Sequence, residues 1–148
     1  MPQDNERIQA TAMDFDNAIE SRDMDAIIEA FAEDYEVELL GITRSGKEGV
    51  RKWANWLFNS VPEIKFTPII IMVDDGIFFE EFLVSGTLLD GQIVESKQSG
   101  VLVYEDYKIK SLRIYFDRLD FADFVATDFL SKRVVRMLKS RSLRRPVQ

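Results

Sequence analysis

Neither cysteine nor histidine occurs anywhere in the sequence. The first absence removes disulfides, thiolate nucleophiles and zinc–thiolate sites, and it fits a reducing, cytoplasmic compartment. The second removes Ser-His and Cys-His dyads, the imidazole general base, and the commonest ligand of zinc and non-haem iron. Acid–base chemistry is left to Asp, Glu, Tyr, Lys or an ordered water. The 7 glycines form no P-loop or dinucleotide-binding pattern, so nucleotide cofactors lose their usual support. No cofactor and no metal centre are expected. No run approaches the roughly 20 continuous apolar residues of a membrane span. The opening MPQDNERIQ lacks the apolar stretch of a signal peptide, so a soluble, cytoplasmic protein is expected.

Bases are scarce over most of the chain. Residues 1–131 hold all 26 acids against 12 of the 19 bases, a net −14, whereas residues 132–148 hold 7 bases and no acid. An acidic body argues against nucleic-acid binding, which needs clustered Lys and Arg on phosphates. The basic end reads as a helix terminus whose cations suit the dipole. It could also contact an acidic partner surface or an anionic surface.

What is present has a clear order. The length suits one domain. Ile8, Ala12, Phe15 and Ile19 recur at helical spacing and predict an amphipathic helix over about 6–20. Asp23 caps a shorter helix whose apolar side is Met24, Ile27, Ile28 and Phe31. FAEDYEVELLGI follows as an extended piece. Ser45 and Glu48 make a capping-box pattern ahead of a third helix with Val50, Trp53, Ala54 and Leu57 on its apolar side, and Pro62 stops it. From about residue 64 the character is β: IKFTPIIIMV, IFFEEFLVSGTLL, QIVESKQSGVLVY and IKSLRIYFD are joined by DDG, DG and EDYK, which predicts four antiparallel strands in a meander. A last helix is expected over about 120–140. The fold class is therefore α+β, helices first and sheet second.

This order resembles the nuclear transport factor 2-like superfamily, whose members include SnoaL-like polyketide cyclases, ketosteroid isomerases and limonene epoxide hydrolases. Three phrases over about residues 8–124 carry the likeness: AIESRDMDAIIEAFAEDYEVE, SGKEGVRKWANWL and YKIKSLRIYFDRLDF. YFDRLDF is similar to the matching phrase of limonene epoxide hydrolases. The resemblance implies a cone-shaped α+β barrel, with the N-terminal helices packed in a strongly curved antiparallel sheet and a C-terminal helix. It implies a domain over 1–125 followed by a basic helical extension over 126–148. It also implies an apolar pocket for a hydrophobic small molecule, lined by Phe15, Leu39, Trp53, Leu57, Phe82, Val84, Ser99, Val101, Ile114 and Phe116. The competing reading is that large side chains such as Trp53 and Phe82 fill the cone.

Carried over residue by residue, the family chemistries thin out. The Tyr, base and protonated Asp of ketosteroid isomerases fall at Phe15, Leu39 and Ser99, and none is kept. The Arg and first Asp of limonene epoxide hydrolases fall at Phe82 and Val84, and the Tyr and Asn at Val37 and Leu39. Only the last Asp remains, as Asp117, so epoxide hydrolysis is disfavoured. SnoaL-like cyclases need a single acidic proton shuttle near the end of this strand, and Asp117 is the catalytic candidate on that resemblance. The structural alternative for Asp117 is a cap on the turn that begins near Arg118. Glu80 shares strand parity with Phe82 and reads as a pocket-mouth or edge charge; Lys97 shares parity with Ser99.

Two functions remain. One is an isomerase, cyclase or dehydratase acting on an apolar, ring-containing substrate through Asp117; the other is a non-catalytic ligand-binding or dimerisation module of the same fold. A homodimer is expected, because Leu83, Leu102, Tyr104 and Tyr115 would otherwise form an apolar outer face on the sheet.

Overall fold

A computed structural model of the chain describes residues 2–39, 42–87, 91–121, 133–134, 136–138 and 140. They fall into two compact units, Met1–Phe116 and Asp117–Gln148. The expected boundary at 125/126 and most of the expected C-terminal helix lie outside the described residues, of which 133, 134, 136–138 and 140 are helical.

In the first unit, helices α1 (Asn5–Glu20) and α2 (Met24–Glu29) precede strands β1 (Phe31–Leu39) and β2 (Ile42–Ser45). Helix α3 (Lys47–Ser60) then leads into β3 (Glu63–Asp74), β4 (Ile77–Thr87), β5 (Ile93–Glu105) and β6 (Lys108–Tyr115). All six strands join one sheet in the order β2-β1-β6-β5-β4-β3. Every pairing is antiparallel except β1 with β6, which is parallel. The first unit has an α+β cone-shaped fold, with a curved, unclosed sheet and the helices against one face.

Local chemistry explains the element ends. The Asp4 carboxylate accepts the Arg7 N–H at 2.9 Å to open α1, and Asp23 accepts the Ala26 N–H at 3.1 Å to open α2. The expected capping box does not form. Ser45 ends β2, Gly46 is the N-cap residue of α3, and no side chain of the cap itself bonds the helix. Tyr35, buried on β1, takes over: its hydroxyl donates to the Gly46 carbonyl and accepts the Val50 N–H at 3.2 Å. Arg22, at φ 59, donates to the Phe58 carbonyl at 3.0 Å and to the Pro62 carbonyl, tying the α1–α2 turn to the end of α3.

The β3–β4 turn places Asp75 at φ 47 and Gly76 at φ 78, the paired positive φ of a type I′ hairpin. The β5–β6 turn uses Asp106 and Tyr107 the same way, at φ 50 and φ 60. Its unfavourable backbone is held by the N-terminal segment: Gln3 accepts the Tyr107 N–H at 3.0 Å, and Arg7 lies 3.7 Å over the Tyr107 ring. Pro68 and the bulge beside it sit on β3, an edge strand, where a missing ladder N–H costs little.

The core forms where α1, α2 and α3 meet the inner sheet face. Ile8, Ala12, Phe15 and Ile19 from α1 and Val50, Trp53 and Ala54 from α3 join Val37, Phe78, Leu102, Ile109 and Leu112 from the strands. Gly86 marks a close approach, since a Cβ there would lie 2.3 Å from Val61 Cγ1.

Candidate acid–base site

Strand register fixes which side chains share the inner face. Phe82 pairs with Gln98, Val84 with Ser96, and Glu80 with Gly100, so β4 sends Phe78, Glu80, Phe82 and Val84 inward. By the same register β5 sends Ser96, Gln98, Gly100, Leu102 and Tyr104 inward, and all of these are buried. This corrects the expected parity of β5. Ser99 and Val101 pair with Glu81 and Phe79 on the outer face, while Leu102 and Tyr104, expected outside, lie within. The reason is that Val101, Leu102, Val103 and Tyr104 are apolar without interruption, so alternation cannot choose a face. Lys97 is exposed on the outer face opposite Leu83.

Other expected lining residues are placed as follows. Phe15, Trp53, Phe82 and Val84 are buried; Leu57 and Ile114 pack half-buried against the core; Phe116 is half-buried. The Leu39 side chain lies outside the described residues. Phe66 and Phe82 stack edge to face at 5.8 Å.

Asp117 belongs to the second unit. It is exposed, its Oδ1 accepts the Leu119 N–H at 2.9 Å, and its carbonyl accepts the Asp120 N–H at 3.1 Å. These bonds open the short 3₁₀ turn Arg118–Phe121, so its carboxylate already has the structural partner of a cap.

Three acidic groups meet on the inner face instead. Glu80 on β4 is 4 % exposed, Tyr104 on β5 is 3 % exposed, and Asp16 on α1 is half-buried beside the apolar stripe of its helix. Helix α1 reaches them because it packs on β3 and β4. Among the described residues, Glu80 Oε1 and Tyr104 Oη are the buried side-chain polar atoms that have no hydrogen-bond partner. Burial pushes the Glu80 carboxyl up to about 7. Burial, then the charges of Glu80 and Glu20, push Asp16 up to about 8. The Tyr104 phenol is raised by burial and by Asp16 and Glu80, so it keeps its proton. The effect of Glu80 on Asp16, and of both on Tyr104, places the three groups within electrostatic reach of one another. Beside them the Gln98 amide donates to Ser96 Oγ at 3.4 Å, supplying neutral polarity.

Such a set can accept a proton, hold it and return it near neutral pH, which ordinary carboxylates cannot do efficiently. Among the described residues no group of three acidic, His or Cys side chains is arranged to hold a metal ion. Glu80 was legible in part, through its parity with Phe82. Asp16 and Tyr104 were not, although Asp16 follows Ala12 by four residues, which sets it at the margin of the buried stripe.

The model of the SnoaL-like domain matches residues 12–112. No curated protein sequence matches the chain. Among solved structures, an NTF2-like protein of unknown function from Burkholderia pseudomallei is 16% identical, with TM-score 0.74 over 82% of this chain and 98% of that one. A putative SnoaL-like polyketide cyclase from Jannaschia is 14% identical, with TM-score 0.73 over 85% and 99%. An LEH-like epoxide hydrolase of M. tuberculosis is 19% identical, with TM-score 0.69 over 91% and 98%. At these identities the likeness establishes a common fold and leaves the chemistry open. The family model, spanning more than half of the chain and containing all three inward acidic groups, decides the identity: this chain belongs to the SnoaL-like domain family.

Proposed function

We propose that the chain binds an apolar, ring-containing small molecule at the inner face of its sheet and transfers a proton on it. Glu80 is the acid–base residue, Asp16 the second carboxyl, and Tyr104 a hydrogen-bonding partner of the ligand. The observation that carries this reading is that Glu80 Oε1 and Tyr104 Oη are both buried without a partner on one face. An unmet buried polar group costs about 1–3 kcal/mol, a cost that a bound ligand can relieve. The aromatic neighbours Phe78 and Phe82, on the same strand face as Glu80, supply the apolar surface. Asp117, with its carboxylate bound at a turn, is assigned the capping role.

The test is solvent-deuterium exchange into the acidic C–H bonds of ring compounds, cyclic ketones and their imines, followed by NMR. Wild-type protein is expected to accelerate exchange, and Glu80→Gln to reduce it by about 100-fold or more. Exchange lost in Asp117→Asn but retained in Glu80→Gln would return the proton to Asp117. Binding without any exchange would leave a non-catalytic module.

We also propose a homodimer through the outer sheet face. Ile70, Met72, Phe79, Leu83, Val101 and Tyr115 share that face by register. Met72 is 64% and Tyr115 54% exposed, an apolar area that soluble proteins usually cover.

A further inference from the structure

The charge balance of the inner face says more about what it receives. Asp16 and Glu20 reach the cluster from α1, Glu80 from β4 and Tyr104 from β5; β3 presents Ile71 and Val73 opposite Glu80 and Phe78. Strand β6 presents Leu112 and Ile114 opposite Leu102 and Gly100. Among the described residues of the first unit, every Lys and Arg is exposed or committed elsewhere. Lys108 pairs with Glu29 at 3.2 Å, Lys110 with Asp34 at 3.0 Å, and Arg113 lies on the outer face opposite Val101. Glu20 is also engaged, its Oε1 accepting the Phe66 N–H at 2.8 Å.

We propose that the ligand of this site carries a protonated nitrogen on its apolar ring, held between Asp16 and Glu80 with the Tyr104 oxygen as a third acceptor. The inference rests on the reading above that the inner face is the binding site, and it names the substrate class. Burial holds both carboxyl groups toward the neutral form, and a cation between them relieves that cost by letting them ionise, which a neutral or an anionic ligand does not. An N–H cation meets the unpartnered Glu80 Oε1 with a charge-assisted hydrogen bond, roughly twice as strong as a neutral one. A phenol oxygen accepts as well as donates, so Tyr104 Oη can be met in the same way. Phe78 and Phe82, to either side of Glu80 along β4, add apolar aromatic surface beside it. The acidic body of the chain adds a long-range field of the matching sign.

Binding of a cation here displaces protons from Asp16 and Glu80, so affinity rises with pH through the range in which those groups ionise, about 7 to about 8. The experiment is an NMR titration of the full chain with benzylamine and with its neutral counterpart benzyl alcohol, at about pH 6 and about pH 8. At the higher pH benzylamine is expected to bind about tenfold more tightly or better. That advantage should shrink at the lower pH, and Glu80→Gln and Asp16→Asn should each erase most of it. Thermal unfolding of both variants confirms that they are folded. Equal affinities for the two compounds, or a preference that survives both substitutions, would overturn the cation and keep the binding face. Absence of binding by either compound would overturn the binding face as well.

Discussion

Glu80 occupies a position where a carboxyl group is costly, and its titration carries that cost into stability. In the unfolded chain it ionises in the ordinary carboxylate range, whereas in the fold burial raises it to about 7. Between those values the folded state binds more protons than the unfolded state, so stability is greatest below the ordinary range and falls as pH rises through about 7. Asp16 acts in the same direction through about 8. The melting temperature is therefore expected to decline between about pH 5 and about pH 8.5. Glu80→Gln should flatten that decline and raise the alkaline end, read by thermal unfolding of both proteins across the series. A slope unchanged by the substitution would count against a buried, protonated Glu80. Tyr35 shows the opposite use of a buried polar group: its hydroxyl is met on both sides, by the Gly46 carbonyl and the Val50 N–H.

At the scale of elements, helices were readable because one buried stripe repeats against acids. Ile8, Ala12, Phe15 and Ile19 mark α1 plainly, and all four are buried. The start of α3 was misread: Ser45 and Glu48 have the spacing of a cap, but Ser45 is drawn into β2 by pairing with Glu36. A tertiary contact from Tyr35 then does what the local side chain was expected to do. Strand β4 alternates strictly between buried and half-buried residues after Ile77, with Phe82 and Val84 among the buried ones. Gly86 on that strand leaves room for Val61, which terminates α3. Gly86→Ala is expected to destabilise the protein by about 1–3 kcal/mol, measured by urea unfolding. A change below about 0.5 kcal/mol would mean that Val61 rotates aside at little cost.

For the whole molecule, one face of the sheet is covered by α1 and α3, and the other carries Met72, Phe79, Leu83, Val101 and Tyr115 in register. If two copies close over that outer face, Leu83→Glu places like charges across the two-fold axis and should convert dimer to monomer. Sedimentation velocity over a range of concentrations reads this directly. A wild-type chain that is monomeric throughout would remove the dimer. Among the described residues no helix is long and apolar enough to cross a membrane.

The sequence by itself determined the α+β class, the order of helices before the meander, and the exclusion of His- and Cys-dependent chemistry. Those follow from composition and from short-range periodicity, which each segment carries alone. Only the tertiary structure decided the parity of β5, because its apolar run permits either face until Phe82 pairs with Gln98. It also brought together the groups of the proposed site. Asp16, Glu80 and Tyr104 lie 64 and 24 residues apart along the chain, and their shared burial arises only when α1 packs against the folded sheet. Asp117, conspicuous at the end of its strand, lost its prominence for the same physical reason: what a carboxylate does depends on which groups the fold places beside it.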